Sequence, residues 1–394
     1  MPAQAQEHTG TRIREQRRLA RLTQRQLADR IPYSYSLLNQ VECGARTPSD
    51  RFISAVAEAL GISPTVLTES EATTSLQRER LAVLMRPIRE SLDLYDLDPL
   101  PRPDRRPVPT LAADADALCQ RVRATKLRRA AQELPALIID LTHAVHTTPS
   151  TAAWQALASA YRSAHDVALK VGYRDLATVA LDRMGWAAER ASDPCLAAIR
   201  HYKRALGHDR SEHDLGRRLI QLGHGLLEGE TSREALAVAG QLHLGASAVA
   251  ARCDDAVGVE RHIAAARELA DRVGGDASEV HWLSFGRTNV GLHEMGASLT
   301  MRSFDQALTQ ARALKTLPPS TLTSRRARFL VDRAVVELET GHPDAALRHL
   351  AEARRAAPEQ TRYHPRTREA VTGLLHVARR TPDSLSHLAA WLGM

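Results

Sequence analysis

Between Arg328 and Pro358 the chain sets two helical stretches around a glycine break, and this pattern narrows the accessible folds more than any other feature. Apolar residues recur at helical spacing through Phe329, Leu330, Ala334, Val335 and Leu338, and Gly341 then stops the run. A second stretch carries Ala345, Ala346, Leu347, Leu350 and Ala353 before Pro358 closes it. Small alanines let two antiparallel helices approach closely, and glycine permits the tight turn between them. Weaker copies run from Phe304-Asp305-Gln306-Ala307-Leu308 up to Pro319, and others lie at Gly172–Ala177 and Arg233–Leu236. Stacked units of this kind bury a shared core and leave a concave groove. Aromatic residues are only 4% of the 394, a composition that suits packed helices better than sheets, and no stretch reads as a strand. The expected class is all-α, with residues 111–394 forming the repeat array.

Residues 11–67 read as five short helices. The first runs from about Thr11 to Ala20. Thr23 and Gln26 form a capping box that starts the second, whose inward stripe is Leu27, Ala28 and Ile31. Pro32-Tyr33 is the turn. Ser34 caps a third helix, Tyr35 to Glu42, which buries Leu38 and Val41, and Gly44 ends it as a left-handed cap. Pro48-Ser49 starts a fourth helix with Phe52, Ile53, Val56, Ala57 and Leu60 inward, and Ser63-Pro64 starts a fifth. Over residues 68–110 a helix from Leu76 to Leu94 gives way to Pro99, Pro101, Pro103, Pro107 and Pro109. Prolines deny backbone donors and disfavour helix in the residues before them, so this stretch reads as a linker.

The string Leu22-Thr23-Gln24, Leu27-Ala28, Ser34, Val41-Glu42, Gly44, Pro48-Ser49, Ala57 and Leu60-Gly61 resembles the Cro/CI-type (XRE) helix-turn-helix family. The resemblance implies a five-helix lambda-repressor-like domain whose third helix enters the major groove of double-stranded DNA. Tyr35, Ser36, Asn39 and Gln40 then become base-edge candidates, the last three presented together by three- and four-residue spacing. Ser34 joins this contact set at the start of the helix. Gln24 is implied to bond a phosphate, with Arg25, Arg46 and Arg51 as further backbone contacts. Arg17 and Glu42 match a buried ion pair that ties the first helix to the third. Pro32 departs from the family, which usually has glycine in the turn; proline cannot take a positive φ, so the turn must be built differently. Nine arginines and no lysine against five acids leave residues 11–67 at +4, a modest field. Dimerisation through the larger domain is expected to supply the remaining affinity.

The unit from Arg328 to Pro358 resembles the tetratricopeptide repeat at Gly341, Ala346, Leu347, Leu350, Ala353 and Pro358. Phe285–His293 and Tyr363-His364-Pro365-Arg366 resemble recurrent stretches of actinobacterial regulators that join an XRE domain to tetratricopeptide-like repeats. Those are similar in architecture to peptide-responsive quorum-sensing regulators. The resemblance implies a groove that binds an oligopeptide or small molecule and repositions the DNA-binding heads. Asn289 leads the pocket candidates, because an amide donates and accepts together. Arg287 and His293 flank it, and Tyr161, Arg162, His165 and Asp166 form a second polar cluster. Asn289 serves equally well to satisfy buried backbone or to join helices, and for the Tyr161, Arg162, His165 and Asp166 cluster that structural role is the favoured reading.

The formal charge of +7 fits a polyanionic partner. Cys43, Cys119, Cys195 and Cys253 form no CxxC pair and the histidines show no metal spacing, so no metal or cofactor is expected. There is no GxGxxG, P-loop, HExxH or GxSxG, which argues against an enzyme. No run of 18 apolar residues and no secretory leader occur, which points to the cytoplasm and away from membranes. Two rivals stand beside the regulator: a tetratricopeptide protein-interaction scaffold with a vestigial helix-turn-helix, and an antitoxin-type repressor that holds a protein partner in the groove.

Overall fold

The computed structural model describes residues 9–20, 22–46, 48–62, 67, 71–97, 106–208, 210–277, 279–314, 322–377 and 382–394. Among them the backbone forms twenty α-helices and a 3-10 turn at Arg210–Glu212, with one isolated bridge between Ala277 and Phe285 and no strand. The chain divides into two units, one ending at Arg80 and one spanning Leu81–Leu392.

In the first unit, α1 (Thr9–Leu19), α2 (Gln24–Ala28), α3 (Tyr35–Glu42) and α4 (Asp50–Leu60) surround Ile13, Leu27, Leu38, Val41, Phe52 and Val56. Full burial of such side chains stabilises by about 1.5–3 kcal/mol each. The boundaries follow from caps. Thr23 and Gln26 close a capping box, Ser34 accepts from Leu37 N, and Ser49 accepts from Phe52 N. Gly61 ends α4 at φ +65°. Helix α1 touches α3 at Gly10, where any Cβ would collide with the Val41 carbonyl. Ser63-Pro64, the expected start of a fifth helix, lies outside the described residues, although Leu67 beyond it is buried in this core.

The second unit begins with the C-terminal half of α5 (Glu71–Leu92), whose Met85, Ile88 and Leu92 enter its core. Paired helices follow: α6 (Val108–Arg123) with α7 (Leu127–Thr147), α8 (Thr151–Lys170) with α9 (Arg174–Ala191), and α10 (Pro194–Gly207) with α11 (His213–Gly225). The next pairs are α12 (Arg233–Arg252) with α13 (Ala256–Val273), α14 (Arg287–Thr300) with α15 (Phe304–Ala313), and α16 (Thr323–Glu339) with α17 (Pro343–Ala356). The chain ends in α18 (Pro358–Tyr363), α19 (Pro365–Val377) and α20 (Asp383–Leu392). Each pair packs along its length across a short connection, as in a tetratricopeptide-like solenoid.

The expected linker over 68–110 is largely helix where it is described, because Pro107 caps α6 and Pro109 sits in its first turn, where a missing N–H does no harm. Residues 98–105, with three of its prolines, lie outside the described residues, as does Pro319. Gly172 (φ +93°) and Gly341 (φ +82°) make the turns that the sequence marks. Thr125, Ser192, Asp254 and Arg302 make the corresponding turns after α6, α9, α12 and α14 at φ of 51–62° without glycine. Among the described residues no helix is long and apolar enough to cross a membrane.

Candidate nucleic-acid interface and interior polar site

Helices α2 and α3 meet through a turn that contains no left-handed residue. Tyr33 N donates to Ile31 O at 2.8 Å, a three-residue turn centred on Pro32. The proline ring holds φ where the inverse form of that turn requires it, so proline replaces the usual glycine with a different geometry. Tyr33 then packs against Phe52, ring centroids 5.0 Å apart, which holds the start of α3 on the core.

Behind α3, Glu42 is buried. Arg17 grips its carboxylate with two bonds, Nε to Oε1 at 2.7 Å and Nη2 to Oε2 at 2.8 Å, so α1 is tied to α3. The hydrogen bond to Glu42 raises the Arg17 pKa against the opposing effect of burial. In front, Tyr35, Ser36, Asn39 and Gln40 are all exposed, Tyr35 by 45%. Gln24 Nε2 donates to Glu42 Oε2 (2.8 Å) and Asn39 Oδ1 (3.3 Å), while Tyr35 Oη donates to Gln24 Oε1 (3.2 Å). Gln24, Tyr35 and Asn39 thus share one surface network. Arg25 lies 6.0 Å from the Tyr35 ring centroid. Ser34 spends its hydroxyl on the helix cap, and Arg46 and Arg51 are exposed.

Inside the second unit, the first helix of each pair contributes to one polar circuit. Asp166 of α8 meets Lys203 of α10 at 2.5 Å and Arg123 of α6 at 3.2 Å. Tyr202 of α10 accepts from Gln241 of α12 (2.8 Å), and Gln241 accepts from Asn289 of α14 (3.2 Å). Arg325 of α16 reaches His293 of α14 (3.5 Å), and Lys170 of α8 donates to Ser324 of α16 at 2.9 Å, which closes the circuit. Burial lowers Lys170 to about 7 and Lys203 to about 8. Burial works to raise the Asp166 pKa, but Lys203 and Arg123 hold it far below the carboxylate range.

The sequence candidates separate on this frame. Asn289 and His293 lie on the circuit, with Asn289 Oδ1 buried and without a hydrogen-bond donor. Arg162 is buried beside it, donating to His281 O and to Cys119 Sγ. His165 faces α9 instead, bonded to Ala177 O, and burial lowers it to about 4. Tyr161 is buried toward Thr142 and Arg183, and burial raises it to about 12. Arg287 does not flank Asn289: it is exposed and paired with Asp271, because two residues along a helix reach opposite sides. Sequence reasoning missed Arg123, Lys170, Lys203, Gln241 and Arg325. The signal available was Arg162, Asp166 and Lys170 at four-residue intervals.

Asp193, Cys195, Glu234 and His281 also converge, with ligand-type atoms within 4.8 Å of one another, although no spacing in the sequence announces them. Each already has a protein partner. Asp193 caps α10 and accepts from Gln155, Glu234 bonds His281 at 2.6 Å, and Cys195 bonds Glu234, with burial raising the thiol to about 12.

Residues 8–69 match a family model described as a helix-turn-helix domain. Two curated proteins, from two strains of Mycobacterium tuberculosis and each named as an uncharacterized HTH-type transcriptional regulator, are 47% identical over 58 residues. That stretch covers 15% of this chain and 41% of each relative, so the chain spans less than half of the relatives' length. No solved structure matches the chain. The capped helices, the Pro32 turn and the matched residues together make the N-terminal unit similar to the helix-turn-helix domains of these regulators.

Proposed function

We propose that this chain is a sequence-specific DNA-binding transcriptional regulator whose second unit senses a ligand and holds two copies together. The observation that carries the reading is the outward face of α3, where Tyr35, Ser36, Asn39 and Gln40 stand exposed on a helix locked from behind by Arg17 and Glu42. Asn and Gln side chains pair bidentately with adenine, and a good pair discriminates by about 1–3 kcal/mol. The names of the two matched relatives support the same role. Exposed Leu215, Leu222 and Leu226, at seven- and four-residue intervals on and just past α11, support self-association through an apolar stripe. Charged groups lining an interior favour a small ligand over a protein partner.

Gel shift and footprinting on the gene's own upstream region test the reading. Gln40→Ala is expected to lose discrimination at particular base pairs, and no shift at low salt refutes the proposal. Light scattering of Leu222→Asp tests the dimer: the wild type is expected to run as two copies and the variant as one.

A further inference from the structure

Five cations and one carboxylate meet inside the second unit. Arg123 and Lys203 share Asp166. Arg162, Lys170 and Arg325 have only neutral hydrogen-bond partners among the described residues: Arg162 holds His281 O and Cys119 Sγ, Lys170 holds Ser324 Oγ and Gln360 Oε1, and Arg325 holds Leu283 O and His293. All five lie within one another's field: Asp166 is the largest charge acting on Lys170 and Lys203, but the charges of Arg123, Lys203 and Arg325 oppose it at Lys170, and those of Arg123 and Arg162 oppose it at Lys203. Enclosure and access coexist here. Lys170, Lys203 and Arg325 keep part of their surface open to solvent, yet burial is the largest influence on each. The three side chains therefore stand at the edge of solvent and not in a dry core.

Cations withdrawn from water without counter-charge are costly, and low-dielectric walls focus their field on whatever enters. We infer that this interior binds a small phosphate-bearing molecule, with the phosphate seated among Arg123, Lys170, Lys203 and Arg325. The inference rests on the sensing role proposed above and names its ligand class. Charge count selects phosphate over a peptide C-terminus. A carboxylate brings a single charge and would leave most of the excess unmet, whereas a phosphate monoester brings about −1.5 to −2 and three strong acceptors. Beyond the cations, Asn289 Oδ1 is a buried acceptor still lacking a donor, placed to take an N–H or O–H from the rest of the molecule.

Calorimetry on the full chain, with pyrophosphate and inorganic phosphate at ionic strength matched by sodium chloride, tests this without DNA. One pyrophosphate per chain is expected, and Lys170→Gln is expected to weaken it at least tenfold. Lys170 makes no direct ion pair among the described residues, Asp166 acts on it only at longer range and keeps Arg123 and Lys203, and Gln keeps a hydrogen bond. The unliganded variant is therefore expected to melt no lower than wild type; a purely structural lysine would lower the melting temperature. Arg325→Gln gives a second reading of the same site. The inference is overturned if neither phosphate binds, if both variants bind as wild type does, or if a short peptide with a free C-terminus binds as tightly as pyrophosphate with the same dependence on Lys170. Phosphate binding by a chain that shifts no DNA overturns the regulator reading alone.

Discussion

Removing the Glu42 carboxylate should strongly destabilise the N-terminal unit while leaving the second unit intact. Glu42 accepts two bonds from Arg17 and one from Gln24, and its side chain is fully buried. Arg17 is 10% exposed at its side chain, so in Glu42→Ala its guanidinium stays enclosed with the Leu22 carbonyl as its remaining partner. Breaking a buried pair from one side costs about 3–5 kcal/mol. At about 0.05–0.15 kcal/mol per residue, a unit of this size holds only about 4–12 kcal/mol in total. The loss therefore takes a large share of its stability, and at about 1 kcal/mol per molar urea it moves the midpoint down by about 3–5 M. The four tryptophans, Trp154, Trp186, Trp282 and Trp391, all lie in the second unit. Tryptophan fluorescence follows that unit, while circular dichroism follows both. In Glu42→Ala the early dichroism transition is expected to move to lower urea or vanish, with the fluorescence transition unchanged. Replacing both partners by apolar residues, Arg17→Met with Glu42→Leu, is expected to recover most of the loss, because no charge is then stranded. A midpoint change worth under 1 kcal/mol in Glu42→Ala, or a double variant weaker than the single one, refutes the reasoning.

Three further outcomes follow from the same contacts. Gly10→Ala is expected to destabilise the first unit by about 1–3 kcal/mol, since a methyl there meets the Val41 carbonyl; an unchanged dichroism midpoint would show that α1 can shift at no cost. Gln24→Ala is expected to lower affinity at every operator and also to release Asn39 and Tyr35, so footprints should weaken overall with some loss of base preference; a change confined to one base pair would contradict the network. His165 and His243 are lowered to about 4, and His293 and His364 to about 3, with burial the first cause in each. Their folded values lie below the unfolded value near 6.5, so their contribution is complete above pH 6.5 and declines as pH falls toward 4. Each histidine contributes a slope of up to about 1.4 kcal/mol per pH unit. Melting followed by tryptophan fluorescence should drop between pH 7 and pH 5, and a flat profile would contradict the burial of these rings.

Helix α3 was legible to the residue, Tyr35 to Glu42, because Ser34 caps it and Gly44 follows it, and both signals act within one turn. The repeats were legible in proportion to their glycines. The α16–α17 unit shows Gly341, whereas the turns after α9, α12 and α14 place Ser192, Asp254 and Arg302 in the left-handed region, where side chains are disfavoured by about 1–2 kcal/mol. These residues are exposed, and the mutual packing of the helices that flank each turn holds them there, which leaves no local sign. The polar cluster on α8 was found as a cluster but not as faces. Tyr161 and His165 point to α7 and α9, while Arg162, Asp166 and Lys170 line the interior.

The interior circuit also explains why no single motif could announce it. Its partners are 37 residues apart from Asp166 to Lys203, 39 from Tyr202 to Gln241, 48 from Gln241 to Asn289 and 32 from His293 to Arg325. These separations bracket the length of one two-helix repeat. Each repeat therefore contributes one to three polar side chains, from the first helix of its pair, to a common inner wall. A residue that looks isolated along the chain has neighbours one repeat before and one repeat after. Closure between Lys170 and Ser324, 154 residues apart, then needs the array to wind far enough to bring α16 back to α8. The charge excess is a property of that winding: uncoiling the array would return the five cations to water and remove the reason for an anion to bind. Ligand affinity and the curvature of the second unit are therefore linked, and by reciprocity a phosphate that binds this wall must favour the wound form.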